Sequence, residues 1–382
     1  MRILFSSIDG YGHTYPLLPL TSAAHRAGHE VVFATVGHFA SLLKGLGVEH
    51  RVAGIPMGEA MGEALRSFPG VTTPDELEPQ RRRELIAGVF GSVVPRRVID
   101  DLTPLLREFE PDLVVASATS MGAVIATKRA GIPLVRHGIG RMVADPTLDT
   151  IKAAFTELAT EFGLPGHRAD EDPYLDIYPP SLQGEEFVAS PNRYELRPVA
   201  FAESGELPAR VRERDRSRPL AYLTLGTAFG TVDVLRSAID GLAGLDLDLV
   251  VAAGPSVDLG ELAGVPDNVF VESWVAQAEL LPLTDLVVHH GGSGTTLGAL
   301  AAGVPQLVLP QGADQFANAD AVLGGGSGER LTPGEASAEA VAAQAKRLLT
   351  EDSFAAAARR IAAEIAAMPS PEEIAERLAD FT

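Results

Sequence analysis

The chain has 382 residues, enough for two domains of a little under 200 residues each rather than for one core. Its net charge of −20 disfavours nucleic acid and anionic membranes as partners, and the absence of cysteine excludes disulfides and a cysteine nucleophile. No apolar run reaches the roughly 18 residues that a membrane span needs, and the first apolar run is too short for a signal peptide. We therefore expect a cytoplasmic protein.

The first half of the chain alternates short apolar runs with helix-like segments. Because the runs are almost continuously apolar, they indicate parallel strands that are covered on both faces. The strands are predicted at residues 2–6, 30–35, 112–117 and 133–137. This pattern predicts an open α/β sheet, and we assign residues 1–201 to the first domain.

A charged stretch with prolines follows at residues 202–219 and is predicted to be the linker between the domains. The alternation then restarts, which predicts a second α/β domain over residues 220–367. Its strands are predicted at residues 220–226, 249–253, 269–272, 285–290 and 306–310. Residues 368–382 are expected to form a final helix that packs back on the first domain.

A glycine-rich turn, Gly291–Thr296, joins the strand that ends at His290 to a helix-like segment. Glycines at such a turn let backbone N–H groups approach a phosphate, and the start of the helix adds partial positive charge. The turn lacks the spacing of a dinucleotide-binding fingerprint and the lysine of a P-loop. On its own it is equally compatible with a structural turn. In a chain of net charge −20, local dipoles would have to neutralise a bound diphosphate.

Four motifs stand in order around this turn: WVxQ, HHGGSGTT, GVPQLVLP and ADQFANA, beginning at Trp274, His289, Gly303 and Ala313. In these motifs and over the whole chain, the sequence resembles inverting nucleotide-sugar-dependent glycosyltransferases of the GT-B family, especially actinobacterial enzymes of antibiotic biosynthesis. The resemblance implies two Rossmann-like domains that face each other across a cleft. It also implies a thymidine diphosphate deoxysugar as donor, a small natural-product aglycone as acceptor, and no metal or other cofactor.

The resemblance also implies roles for individual residues. Trp274 would lie against the nucleobase, the backbone of Val275 would read its edge, and His290 would donate to the diphosphate. The residues expected to bind the nucleotide and diphosphate are Thr227, Trp274, Val275, Gln277, His290, Gly292, Ser293, Gly294 and Thr295. Asp314 and Gln315 would bind the donor sugar. A core tryptophan and polar residues at a helix start are the structural alternatives.

His13 lies in a glycine-flanked loop after the first strand, where open α/β sheets bind their ligands. A neutral imidazole there can take the proton of an acceptor hydroxyl, and a helix-capping histidine is the alternative. Many relatives orient this base with a carboxylate after the fourth strand, where this chain has Ser117 instead. Either a hydroxyl, a water or Asp9 would then orient His13, or the acceptor would be acidic enough, as a phenol or enol is, to need little help from the base.

The acceptor is expected to lie against Gly12 and the loops of the first domain, mainly residues 58–97 and 139–176, which have the least regular pattern. His289 would face away from His290 and pack in the core, so the pair does not indicate a metal site. Two other functions stay open at this point: a nucleotide-sugar epimerase-like enzyme on the same fold, and a catalytically silent partner of a glycosyltransferase. A homodimer also stays open.

Overall fold

The computed structural model describes the chain except for five short segments. The described residues are 1–142, 146–168, 171–201, 205–226, 232–254 and 257–382. They divide into two compact units, of which the first comprises residues 1–177, 185–196 and 369–382. The second unit comprises residues 178–184 and 197–368. These limits differ from the sequence-based ones at residues 178–184, 197–201 and 368, which belong to the second unit.

The first unit is built on a seven-stranded parallel sheet with the order β3-β2-β1-β4-β5-β6-β7. Its strands are β1 Arg2–Ser6, β2 Glu30–Thr35, β3 Glu49–Val52, β4 Leu113–Ser117, β5 Leu134–His137, β6 Tyr174–Asp176 and β7 Arg193–Glu195. Its helices up to residue 188 are α1 Tyr11–Thr14, α2 Leu18–Arg26, α3 Ala40–Gly45, α4 Met57–Leu65, α5 Pro79–Gly88, α6 Val94–Phe109, α7 Met121–Ala130, α8 Pro146–Glu161 and α9 Glu185–Val188. The central strands β1 and β4 are buried because helices cover both faces of the sheet.

The second unit repeats this plan on a six-stranded parallel sheet with the order β10-β9-β8-β11-β12-β13. Its strands are β8 Leu220–Thr224, β9 Asp248–Ala252, β10 Val269–Glu272, β11 Leu286–His289, β12 Gln306–Val308 and β13 Gly328–Arg330. Its helices are α10 Ala209–Arg212, α11 Val232–Ala243, α12 Gln277–Leu280, α13 Ser293–Ala302, α14 Gln315–Gly324, α15 Ala338–Thr350 and α16 Asp352–Ala367.

Part of the predicted linker belongs to the core of the second unit. Helix α10 lies within it, and Val211 of this helix is only 3% exposed, packed in a cluster with Leu220 and Tyr222. Leu207 of the same stretch packs against this cluster too. The arginines and glutamates around these two residues leave no apolar period in the sequence that would predict the packing.

The last helix, α17 Pro371–Glu376, completes the first unit. It begins with a capping box in which Ser370 accepts from the backbone N–H of Glu373. Ile374 and Ala375 are buried, Arg26 of α2 donates to Glu372 over 2.7 Å, and the His29 ring lies 3.3 Å from the carbonyl of Ala375. The final helix therefore packs against α2 of the same unit.

Among the described residues, no helix is long and apolar enough to cross a membrane.

Candidate functional site

In both sheets, the order in which the chain adds strands reverses at the centre of the sheet. The chain winds outward from β1 through β2 to β3, and then restarts on the other side of β1 with β4. The second sheet does the same between β8 and β11. Open α/β sheets bind ligands in the crevice at the carboxyl ends of such neighbouring strands. The residues that follow these four strands are therefore the candidates for function in each unit.

His289 ends β11 and is fully buried. Its Nδ1 accepts from the backbone N–H of Gly291 over 3.0 Å, so Nε2 carries the proton and donates to Oε1 of Gln306 over 2.8 Å. Burial, with a smaller effect of His290, lowers the pKa of His289 to about 3. His289 is thus a neutral structural residue that anchors the glycine-rich turn.

The ring of His290 occupies a narrow space between two glycines. A Cβ at Gly226 would lie 2.7 Å from Nε2 of His290, and a Cβ at Gly292 would lie 2.4 Å from the same atom. Burial lowers the pKa of His290, against the opposing effects of the Asp314 carboxylate and the Thr224 backbone carbonyl. Its Nδ1 is buried without a hydrogen-bond partner in the described part of the chain. A buried polar atom of this kind calls for a ligand or a water.

Helix α13 begins at Ser293 next to this ring, with Gly292 as its N-cap and no side chain capping it. The first backbone bond within this turn runs from the N–H of Thr296 to the carbonyl of Gly292. The N–H groups of Ser293, Gly294 and Thr295 therefore precede the hydrogen-bonded helix, where an anion is stabilised. The predicted phosphate cradle and His290 lie together at the end of β11.

Two of the predicted phosphate-binding hydroxyls are already engaged in this structure. The hydroxyl of Thr295 donates to Oε1 of Gln277 over 3.1 Å, and the hydroxyl of Ser293 donates to Oδ2 of Asp314 over 2.8 Å. Gln277 thus supports the turn from α12. Both residues still present backbone N–H groups at the start of the helix.

Asn318 connects the glycine-rich turn to Asp314, a role that the motif alone did not indicate. Its Nδ2 donates to the Gly291 carbonyl over 2.8 Å, and to Ser293 Oγ and Asp314 Oδ2 over 3.1 Å each. Its Oδ1 accepts from the hydroxyl of Tyr178 over 3.1 Å, so every polar atom of the amide is used. Asn318 lies one helical turn after Asp314, on the same face of α14.

Gln315 is 2% exposed, although the resemblance implies that it binds the donor sugar. Its Oε1 accepts from the backbone N–H groups of Gln311 over 2.7 Å and of Gly312 over 3.1 Å. Ala313 in the same loop has φ 53°, a left-handed conformation that costs about 1 kcal/mol or more for a residue with a Cβ. Gln315 therefore stabilises the strained loop that presents Asp314.

Trp274 is 53% exposed, so the structure places it on the surface and not in the core. The edge of its ring lies 3.0 Å from where a Cβ of Gly205 would be, and the neighbouring Val275 is buried. An exposed indole offers a flat surface on which a base can stack. Thr227, the remaining predicted nucleotide ligand, lies outside the described residues.

In the first unit, His13 lies in α1 at the carboxyl end of β1. Its Nδ1 is 3.1 Å from the hydroxyl oxygen of Thr119, which is in turn 2.9 Å from the hydroxyl oxygen of Ser117. The N-cap, Gly10, has φ 122°, and a Cβ there would lie 3.0 Å from the His13 ring. The sheet thus brings His13 together with the hydroxyls that follow β4.

Asp9 has partners elsewhere in the first unit. It accepts from the backbone N–H of Met57 over 2.7 Å and pairs with Nε2 of His38 over 3.3 Å. Gly12 is exposed, and a Cβ there would meet no atom within 4 Å. Gly12 therefore leaves open space beside His13.

The acceptor segments are more regular than their sequence suggested. Residues 58–97 are largely helical, and residues 139–176 include α8 and β6. A π-helix, Val89–Val93, joins α5 to α6 and places the ring of Phe90 6.2 Å from that of His13. π-helical turns inserted between α-helices are frequent at functional sites. The expected irregularity was wrong for residues 58–97, where Pro79 and Pro95 lie in the first turns of α5 and α6 and Gly91 lies in the π-helix.

In the chain as described, no three His, Asp or Glu side chains come together in a way that could hold a metal ion.

Two doubly wound α/β units, one with a phosphate-type turn at its switch point and one with a histidine in the short helix there, match the GT-B class of glycosyltransferases. Comparison with known proteins gives the family. Residues 236–381 match the model described as "Erythromycin biosynthesis protein CIII-like, C-terminal domain". Elloramycin glycosyltransferase ElmGT of Streptomyces olivaceus is 33% identical, over 99% of this chain and 97% of that protein. L-demethylnoviosyl transferase of Streptomyces niveus is 31% identical, over 99% of this chain and 98% of that protein.

Solved structures agree over the whole chain. Glycosyltransferase SnogD of Streptomyces nogalater has a TM-score of 0.76 and 29% identity, covering 100% of this chain and 99% of that one. SsfS6 of Streptomyces sp. SF2575, complexed with thymidine diphosphate, has a TM-score of 0.80 and 26% identity, also covering 100% of this chain and 99% of that one. Spinosyn rhamnosyltransferase SpnG, complexed with spinosyn aglycone, has a TM-score of 0.82 and 27% identity, covering 99% of this chain and 100% of that one. The chain belongs to the antibiotic glycosyltransferase family and is an enzyme of that class.

Proposed function

We propose that this enzyme transfers a deoxysugar from a thymidine diphosphate sugar to a hydroxyl group of a small natural-product aglycone. The observation that carries the proposal is the buried Nδ1 of His290, beside the start of α13, both of which lack a side-chain partner among the described residues. Together they offer an imidazole and backbone N–H groups to a diphosphate. The thymidine diphosphate complex of the similar SsfS6 supports the choice of nucleotide. The cytoplasmic location and a homodimer stay predictions.

The reaction we propose is a single displacement with His13 as general base. Nε2 of His13 takes the proton of the acceptor hydroxyl while its oxygen forms a bond to the anomeric carbon of the sugar. The bond from that carbon to the diphosphate oxygen breaks in the same step, and thymidine diphosphate leaves with the bonding electrons. Attack opposite the leaving group inverts the anomeric configuration.

On the donor side, Trp274 would stack on the base and Asp314 would accept from sugar hydroxyls. The partial charge of the helix start and the His290 ring would offset the diphosphate charge without a metal. We expect turnover to be unchanged by EDTA. Loss of turnover that magnesium or manganese restores would contradict the metal-independent mechanism.

The proposed function is tested by mass spectrometry of reactions between thymidine or uridine diphosphate sugars and a panel of polyphenolic and polyketide aglycones. We expect an aglycone to gain the mass of one deoxysugar from a thymidine diphosphate donor. Binding of thymidine diphosphate without transfer to any acceptor would instead favour a silent partner protein. A strict requirement for uridine diphosphate sugars would overturn the choice of donor.

Trp274→Ala should weaken thymidine diphosphate binding by about 5- to 150-fold, because stacking on an aromatic ring contributes about 1–3 kcal/mol per base. Isothermal titration calorimetry measures the effect, and the free energy of unfolding should change little because the indole is exposed. Trp274→Phe is the matched control and should retain much of the affinity. Equal affinities for the wild type and Trp274→Ala would show that the indole does not contact the base.

Phe90 is a candidate wall of the acceptor site because the π-helix directs its ring towards that of His13. Phe90→Ala should raise the acceptor KM about 10-fold, since aromatic contacts contribute about 0.5–1.5 kcal/mol beyond the apolar area they bury. The donor KM should not change. The acceptor KM of Phe90→Leu should lie between those of the wild type and Phe90→Ala. Initial rates at varied acceptor concentration provide the measurement, and an unchanged acceptor KM in Phe90→Ala would exclude Phe90 from the site.

A further inference from the structure

Two hydroxyl groups lead from His13 into the core of the first unit. The Thr119 hydroxyl oxygen lies 3.1 Å from Nδ1 of His13 and 2.9 Å from the hydroxyl oxygen of Ser117. Ser117 is the last residue of β4 and is fully buried, whereas Thr119 is half-buried in the loop that follows. The three groups form a continuous hydrogen-bonded row that starts at the imidazole.

Which group donates in each of these two hydrogen bonds decides which nitrogen of His13 can act as a base. If Thr119 accepts from Nδ1–H and donates to Ser117, the lone pair of the neutral ring is on Nε2. If the row runs in reverse, Thr119 donates to Nδ1, and Nε2 carries the proton and cannot take another. In a neutral histidine, the bond made by one nitrogen sets the state of the other. Only the first direction makes Nε2 a base.

We propose that Thr119 is a positioning residue that accepts from Nδ1–H of His13 and so keeps Nε2 deprotonated for the acceptor hydroxyl. The inference rests on the proposed role of His13 as general base. After proton transfer both ring nitrogens carry protons, and the Thr119 oxygen remains an acceptor for Nδ1–H. The same hydrogen bond therefore serves the ring before and after the step.

The backbone around Thr119 is fixed well enough for this role. The N–H of Ala118 donates to the carbonyl of His137 over 2.8 Å, and the N–H of Ser120 donates to the carbonyl of Ser117 over 2.8 Å. Threonine is β-branched, so few side-chain rotamers are open to its hydroxyl. The ring of His13 also lies close to Gly10 and to the ring of Phe90. Thr119 thus presents one oxygen at a defined place to the imidazole.

Thr119→Val and Thr119→Ser test the proposal because the first removes the hydroxyl at nearly constant shape and the second keeps it. We expect kcat to fall about 10- to 100-fold in Thr119→Val, the size of one lost hydrogen bond to a group that becomes charged. The donor KM should stay the same, and Thr119→Ser should recover most of the rate. Full activity in Thr119→Val, or an equal loss in Thr119→Ser, would overturn the positioning role.

Nitrogen-15 NMR of the histidine side chains tests the proton position without an activity assay. The chain has nine histidines, and the His13 signals are those that disappear in His13→Gln. In the neutral ring of the wild type we expect Nδ1 to be protonated, and in Thr119→Val we expect the proton to shift towards Nε2. An Nε2-protonated ring in the wild type would refute the inference.

The two proposals fail in different ways. Turnover that survives His13→Ala would remove the general base and with it the proposed mechanism. Loss of turnover in His13→Ala together with full turnover in Thr119→Val would leave the general base in place and overturn only the role of Thr119.

Discussion

His13→Ala should reduce the rate of sugar transfer by about 10²- to 10⁴-fold, the contribution that a positioned general base makes to a proton transfer. The variant should bind thymidine diphosphate as the wild type does, because the proposed nucleotide ligands all lie in the second unit. The effect therefore falls on kcat and not on the donor KM. Single-turnover assays with saturating donor separate the chemical step from product release.

His25→Ala is the matched control, since His25 belongs to α2 of the same unit and is exposed. Its kcat and its midpoint of thermal unfolding should equal those of the wild type. If His13→Ala retained the wild-type rate, another group would have to accept the proton, and the mechanism proposed here would be wrong.

His290→Ala should weaken thymidine diphosphate binding by about 10- to 100-fold, because hydrogen bonds to charged groups contribute about 1.5–3 kcal/mol. Nδ1 has no hydrogen-bond partner in the part of the chain that the structure describes, and Gly226 and Gly292 approach the ring closely, so this imidazole is well placed for a ligand. Calorimetric titration with thymidine diphosphate measures the loss. Undiminished affinity would mean that the ring only fills space between the glycines.

His289→Ala is the comparison that separates binding from folding. Its side chain accepts from Gly291 N–H and donates to Gln306, so the truncation leaves buried polar groups unpaired. We expect its free energy of unfolding to fall by about 2–4 kcal/mol, the sum of a small cavity and an unpaired buried group. Chemical denaturation measures that loss, and His290→Ala should lose clearly less. Equal losses in the two variants would contradict the assignment of different roles to these neighbours.

The sequence predicted the central strands of both sheets well and the outer strands poorly. The apolar runs that indicated β1 and β2 match their observed limits, because strands covered on both faces are apolar throughout. The edge strand β10 is the exception, since its limits were also predicted although it is only partly buried. Strand β3 was missed because it is not buried, with Val52 67% exposed. Strands β6, β7 and β13 have three residues each, too few for a period to show.

The candidate site shows the same division between local and distant information. The glycine-rich turn with His290 is a contiguous motif, so its position at a helix start could be predicted. Thr119 and His13 are 106 positions apart, and Tyr178 and Asn318 are 140 apart. The first pair depends on the pairing of β1 with β4, and the second depends on residues 178–184 being part of the second unit. A single sequence does not show either arrangement. The exposure of Trp274 and the burial of Gln315 likewise depend on tertiary packing.

The last segment of the first unit, residues 369–382, follows the whole second unit in the chain. Exchange of donor specificity between related enzymes therefore cannot be made at a single junction near residue 197. A chimaera that replaces everything beyond that point would seat a foreign α17 on α2 and lose the contact between Arg26 and Glu372. Grafting residues 178–184 and 197–368 together keeps the parental helix and transfers the second unit whole, including the hydrogen bond from Tyr178 to Asn318. On the ribosome, likewise, the first unit can complete its packing only after the second has been synthesised.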